Sequence, residues 1–343
     1  KSHFDKIGGN ASSERGGGIK SLVWPSEHTG PSEAAQQADA ALLDSLYGQM
    51  VQGMADGRGV DLDVARGWVD DPPVSPEAAV EAGMLDGARY RDEIEGDLEG
   101  EPRSLMSYLR DLRQEWTRGG DRVAVIYAEG AIISGSSSSD FFGSQYVGDR
   151  TLRKHLKEAR EDESVKAVVL RVNSPGGSGQ ASDAIWRDVG LTQEVKPVIV
   201  SMGDYAASGG YYISMGSSRI FAEPGTITGS IGVFGGKMNL AGAYEKVGVT
   251  LHTEQRGRYA NLFGSTSDFD ELERQKYQEF LSSFYTTFVS KAAEGRETTY
   301  DALHEVAQGR VWTGEQALEL DLIDELGGLD AAVAHAASEG RIE

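Results

Sequence analysis

From Asp121 onward, short unbroken apolar runs alternate with longer stretches of helical periodicity. Val165–Val172 and Pro197–Ser201 are rich in β-branched and aliphatic residues, the pattern of strands buried on both faces of a parallel sheet. Arg122–Tyr127, Arg219–Ala222 and Val249–Thr253 complete the expected strands. Helical segments lie between several of them, as crossovers between parallel strands require. Asp268–Ala293 reads as a long helix whose Phe280, Phe284 and Phe288, at spacing four, bury one face against the sheet or a subunit. Ahead of Asp121 the pattern is mainly helical: Ser32–Ala55, Asp61–Val69 and Pro76–Ala82. Pro102–Arg118 carries Leu105, Leu109, Leu112 and Trp116 and reads as an amphipathic connecting helix; Asp111 and Glu115 among its arginines argue against a membrane-surface role. The expectation is an α/β fold with a parallel sheet and flanking helices, preceded by a mainly helical part. The expected divisions are residues 1–100, a connecting helix at 101–120, and a complete α/β unit at 121–343.

Three strand-to-turn junctions carry the candidate chemistry. Ser208 lies in Gly203-Asp204-Tyr205-Ala206-Ala207-Ser208-Gly209-Gly210, after an apolar strand and before the helical Tyr211–Ser214. Such a turn lifts a hydroxyl above a sheet, where backbone N–H groups favour developing negative charge, and its small neighbours admit a substrate carbonyl. Upstream, Val168–Val172 runs into Asn173-Ser174-Pro175-Gly176-Gly177-Ser178-Gly179 and a helical Gln180–Arg187. Two such units place both turns at the same carboxyl edge of the sheet, where α/β sheets bind ligands. The N–H groups of Gly177 and Gly209 then converge as an oxyanion hole beside Ser208. Pro224–Gly232 adds a third glycine-rich turn, with the Ser230 hydroxyl. Taken one at a time, each is as well explained by a packing turn. Ser134–Ser139 reads as a flexible loop.

Together, Asn173-Ser174-Pro175-Gly176-Gly177, Ala206-Ala207-Ser208-Gly209-Gly210-Tyr211 and Thr228-Gly229-Ser230-Ile231-Gly232 resemble the signal peptide peptidase A family of bacterial Ser/Lys proteases. That family is built on the ClpP/crotonase-type fold. Val311–Ala317 and Leu322-Ile323-Asp324 extend the resemblance, which runs from Asp121 to Ala337. It implies Ser208 as nucleophile, Gly177 and Gly209 as oxyanion hole, and Ser230 as the residue that orients the general base. No cofactor or metal is implied.

In this family the base is an unprotonated lysine, which serves only where burial lowers its affinity for a proton. Single-repeat members carry it downstream of the serine in a Gly-x-Tyr-Lys-like stretch. Here that stretch reads Gly257-Arg258-Tyr259-Ala260, with alanine in the lysine slot, and Arg258 does not deprotonate. An internal repeat supplies the alternative. Ser75–Asp86 matches Thr313–Asp324, and Leu46-Tyr47 and Gly57-Arg58 match Phe284-Tyr285 and Gly295-Arg296 at the same offset. Continued backwards, with a short gap, the repeat sets Gly16–Ser21 on Gly257–Ala260, so that Lys20 takes the lysine slot. Its Lys20-Ser21…Pro25 context resembles double-length members, in which the first repeat gives the lysine and the second the serine. The chain is then expected to begin inside a degenerate first repeat. The bland reading of Lys20 is a solvated lysine in a Gly/Ser-rich arm.

Composition narrows the field. A formal net charge of -21 argues against nucleic acid and anionic lipid as partners. Zero cysteines exclude disulfides and thiol nucleophiles. His252 and Lys237 are rival bases, whereas His155 sits in a charged helix. The expected function is a serine endopeptidase with a Ser208/Lys20 dyad. The resemblance implies as partners hydrophobic peptides such as cleaved signal peptides, a homo-oligomer, and the upstream half of the first repeat if that is a separate fragment. It also implies the extracytoplasmic face of a bacterial membrane. Two readings from other classes stay open: an assembly or peptide-binding scaffold, motivated by Ala260, and a crotonase-type acyl-CoA enzyme using the same oxyanion geometry.

Overall fold

The computed structural model of the protein describes residues 10–16, 33–97, 107–108, 120–250, 252, 255 and 258–342. Lys20 and most of the expected 102–118 helix lie outside the described residues. The strands are β1 (Asn10–Gly16), β2 (Arg122–Glu129), β3 (Ala131–Ile133), β4 (Ser138–Ser139), β5 (Gln145–Gly148), β6 (Val165–Ser174), β7 (Val198–Ala207), β8 (Arg219–Ala222), β9 (Ile227–Gly229), β10 (Val233–Asn239), β11 (Val311–Thr313) and β12 (Glu325–Leu326). The helices are α1 (Glu33–Arg58), α2 (Leu62–Asp70), α3 (Pro76–Glu81), α4 (Arg91–Asp97), α5 (Asp149–Glu161), α6 (Gly179–Gln193), α7 (Gly209–Ser214), α8 (Ala241–Lys246), α9 (Glu271–Gly295), α10 (Tyr300–Val306), α11 (Gly314–Glu319) and α12 (Leu329–Glu339). Among the described residues, no helix is long and apolar enough to cross a membrane.

The chain divides into two compact units, Asp44–Asp121 and the remainder. In the larger unit, β7, β6 and β2 run parallel in one sheet, with β2 at its edge. β7 serves two further partners: Ile199–Ser201 pair with β8, and Tyr205–Ala207 pair with β9. The apolar runs are continuous because both sheet faces are covered. Val168, Leu170, Val172, Val200 and Met202 pack with α5, α6, α7 and α9, whereas Ala167, Val169, Ile199 and Phe221 pack with α12. Alternate residues of one strand therefore enter two different cores. Each fully buried aliphatic side chain contributes on the order of 1.5–3 kcal/mol.

Two expectations need correction. Val249, Thr250 and His252 are not in a strand, and Val249 is exposed. The place beside β10 is taken by β1, which pairs with it antiparallel from Asn10↔Asn239 to Gly16↔Val233. β1 is a run of serines, glycine and charge that hydrophobic patterning does not register. The stripe of phenylalanines on α9 also divides. Phe288 is buried, but Phe280 is exposed, and the buried face is carried by Tyr277, Leu281, Tyr285, Val289 and Ala292.

Residues matched by the internal repeat make matching hydrogen bonds. Arg58 donates to the Gly83 carbonyl (3.0 Å) and pairs with Asp86 (2.9 Å). Arg296, its counterpart, donates to the Asp321 carbonyl (2.7 Å) and pairs with Asp324 (2.7 Å). Ser75 and Thr313 each cap a helix by accepting an N–H, from Ala78 and Gln316. The small core Val51, Ala55, Ala65 and Trp68 falls on Val289, Ala293, Leu303 and Val306 at that same offset.

The two arginine–aspartate pairs differ in what they contribute. Asp86 is almost fully exposed, so its pair contributes less than about 1 kcal/mol. Asp324 is mostly buried; burial opposes its charge, but Arg296 and the Ile220 N–H outweigh that and hold its carboxyl below the ordinary carboxylate range. A depressed folded value means the contribution is present above the unfolded value and lost as pH falls through the folded one. Asp324→Asn is therefore expected to lower stability at neutral pH by about 1.5–3 kcal/mol. Denaturation measured against pH should show that difference shrinking in acid.

Candidate active site

Local sequence explains how Ser208 is presented. Val198–Ala207 runs as one strand to the sheet edge, further than the expected Pro197–Ser201, because Tyr205–Ala207 find β9 as a second partner. The chain then reverses into α7 through Ser208 at φ 54°, ψ −116°. A positive φ costs a non-glycine residue on the order of 1–3 kcal/mol and persists only where surroundings enforce it. Here the Ser208 N–H donates to the Gly229 carbonyl (2.8 Å), and the Ser208 carbonyl accepts from the Tyr212 N–H (2.9 Å). Ser230 directly follows Gly229, also at positive φ (49°), with its N–H on the Arg310 carbonyl (2.6 Å). Both serines thus sit on strained turns tied to one strand pair.

The second turn comes close against the first. A methyl built on Gly176 would lie 2.6 Å from the Gly209 nitrogen and 2.9 Å from Ser208 Cβ, and one on Gly209 would lie 3.2 Å from the Gly177 nitrogen. Gly177 adopts φ 153° and bridges to Ile132 of β3, whose N–H and carbonyl bond Gly176 and Ser178. The Gly177 and Gly209 N–H groups donate to no backbone carbonyl among the described residues. The structure therefore brings together three of the expected residues, Ser208, Gly209 and Gly177, around one small cavity of ≈ 50 Å³.

Sequence reasoning missed that cavity's other walls. They are Ser182 of α6, Tyr212 of α7, Val233 and Phe234 of β10, and Phe284 and Phe288 of α9. The cavity shares Gly179, Tyr212, Val233, Phe234 and Phe284 with a larger groove of ≈ 470 Å³ that continues along Tyr277, Phe280 and Leu281. Spacing of the α9 aromatics was the available signal. The exposure of Phe280 (53%) distinguishes a groove wall from a core stripe.

The rival bases are placed elsewhere. Lys237 is buried, donating to the Asn261 carbonyl (2.8 Å) and pairing with Glu273 (3.4 Å), and it does not line the Ser208 cavity. With its amine committed to these two acceptors, Lys237 is a structural tie between β10 and α9. His252 is exposed and His155 lies on the exposed side of α5. Ala260 sits in an exposed turn beside Arg258, which is paired with Asp270. Lys20 is outside the described residues; Gly16, the last described residue before it, lies opposite Val233, a cavity wall.

The described residues form an α/β protein whose parallel sheet presents Ser208 at a strained strand-to-helix turn, with the Gly176-Gly177 turn packed against it. Comparison with known proteins agrees. Residues 191–343 match the model of peptidase family S49. A chloroplastic serine protease SPPA of Arabidopsis thaliana is 35% identical over 99% of this chain and 52% of its own length. Protease 4 of Salmonella typhi is 31% identical over 100% of this chain and 57% of its own length. A putative protease of Synechocystis sp. is 36% identical over 60% of this chain and 70% of its own length. The chain belongs to peptidase family S49, the signal peptide peptidase A family. It spans about half the length of the first two of these relatives.

Proposed function

We propose that the chain is a serine endopeptidase in which Ser208 is the nucleophile and Lys20 the general base. The neutral amine of Lys20 takes the Ser208 proton as Oγ attacks a peptide carbonyl. The N–H groups of Gly177 and Gly209 receive the tetrahedral oxyanion, and Ser230 orients the lysine. Lys20 then protonates the leaving amine, and the acyl-enzyme is hydrolysed by a water that the same amine activates. The observation that carries this reading is the packing of the Gly176-Gly177 turn against Ser208 and Gly209, beside a groove whose wall along Tyr277, Phe280, Leu281 and Phe284 is apolar. That groove favours peptides with aliphatic or aromatic side chains, a class that includes cleaved signal peptides. The family reading extends to a homo-oligomer and to the extracytoplasmic face of a bacterial membrane.

A fluorophosphonate probe tests the nucleophile directly. The expected outcome is one adduct, mapped by mass spectrometry to Ser208, with parallel loss of hydrolysis of an unstructured apolar peptide. Ala260 in the second lysine slot keeps a non-catalytic scaffold as the competing reading. Absence of both adduct and hydrolysis would favour it.

A further inference from the structure

The groove beside Ser208 has two unlike ends. Along α9 its wall is Tyr277, Phe280, Leu281, Phe284, Thr287 and Lys291, on one helix face by their spacings of three and four. From Tyr277 to Lys291 this face runs about 21 Å. Phe284, which also lines the Ser208 cavity, lies midway. In one direction from the hydroxyl the wall is aromatic and aliphatic. In the other, Thr287 and Lys291 face Gln180 and Asp183 of α6.

That polar end is fixed in place. Lys291 Nζ and Asp183 Oδ1 form an ion pair, and Tyr212 Oη donates to the same Oδ1 at 2.6 Å. Lys291 Nζ also lies 3.7 Å from the centroid of the Trp186 ring, a cation–π contact that restrains the ammonium. Burial opposes the charge of Asp183, but Lys291 and Tyr212 outweigh it and hold the carboxyl below its ordinary value. The pair remains within reach of a ligand, with Lys291 21% and Asp183 44% exposed. The Lys291 and Tyr212 bonds both go to Oδ1, and Asp183, which lines the groove, has a second carboxylate oxygen to offer as an acceptor.

We propose that the Asp183–Lys291 pair is a polarity filter on the substrate. It admits a hydrogen-bonding side chain on one side of the scissile bond while the Tyr277–Phe284 wall takes an apolar one on the other. The inference rests on the peptidase reading of Ser208. Its substrate class is a peptide in which an apolar segment meets a polar one. An aliphatic side chain set against the pair would strip water from two charges without replacing their hydrogen bonds. The pair cannot swing away while Tyr212 and Trp186 hold it. An amide or hydroxyl side chain donates to Asp183 Oδ2 instead.

The test reads binding, separately from turnover. Two labelled peptides share an apolar half and differ by glutamine or leucine at one position of the polar half. Their anisotropy is followed with the Ser208→Ala chain. Glutamine is expected to bind roughly tenfold tighter than leucine. Adding Asp183→Leu and Lys291→Leu together, which leaves no charge unpaired, should erase or invert that preference, and Lys291→Arg should keep it. Should the double variant not fold, Tyr212→Phe gives a second reading, with the preference falling at least roughly threefold as the pair is released. Equal binding of both peptides, no binding of either, or a preference that survives the variants would overturn the filter. Hydrolysis by the unsubstituted chain is measured alongside. Its absence with the binding preference intact would count against the peptidase and not against the filter.

Discussion

Ser208→Ala and Lys20→Met are each expected to lower kcat/KM on an apolar peptide by about a thousandfold or more, and the double substitution no further. In the proposed dyad the two groups act as one unit: the hydroxyl is a weak nucleophile unless its proton has an acceptor, and the amine is that acceptor. Methionine keeps the length and apolar stem of lysine while removing the acceptor. Lys20→Arg should not restore turnover, because a guanidinium stays protonated. Lys237→Met makes the sharp contrast. Its amine is committed to Glu273 and the Asn261 carbonyl, so the substitution should appear in the melting temperature before it appears in the rate constant of a still-folded enzyme. Single-turnover rates beside thermal denaturation separate the two. Full activity in Lys20→Met with a dead Ser208→Ala would place the base elsewhere in the sequence.

What the sequence made legible divides along physical lines. Strands buried on both faces announce themselves as apolar runs, so Val165–Ser174 and Arg219–Ala222 were found close to their observed bounds. The glycines at 176, 177 and 209 were legible because only an absent side chain permits two backbones to approach as these do. β1 was not, because its pairing with β10 rests on backbone hydrogen bonds and no apolar period marks it. Nor was the end of β7, where Gly203-Asp204-Tyr205 looks like a turn until β9 is supplied as its neighbour. The groove was half legible. Spacing four on α9 identifies one face of a helix, but a stripe that lines a cavity and a stripe that fills a core have the same period. The tie of Asp183 to Lys291 and Tyr212 joins three helices distant in sequence, and no local pattern carries it.

Gly177→Ala keeps the backbone N–H proposed as an oxyanion donor but should push it out of place, with a measurable loss of stability. At φ 153° an L-residue is strained, and the added methyl would lie 2.1 Å from the Ile132 carbonyl oxygen and 2.7 Å from its nitrogen. Both contacts are backbone, on a strand whose N–H and carbonyl are already bonded across this turn, so neither can yield without breaking a hydrogen bond. Strain and crowding together predict a destabilisation of about 3 kcal/mol or more. Turnover of the fraction that folds should fall by up to about a hundredfold, as the displaced N–H no longer points at the developing oxyanion. Gly190→Ala supplies the opposite sign. It lies inside α6 with nothing within 4 Å of the new methyl, and should stabilise by roughly 0.5–1 kcal/mol with activity unchanged. Chemical denaturation of the three chains gives the stabilities, and titration with the fluorophosphonate gives the competent fraction against which rates are normalised. A Gly177→Ala chain with parent stability and parent turnover per labelled site would mean that the turn at Gly177 neither contacts Ile132 as described nor faces the reacting carbonyl.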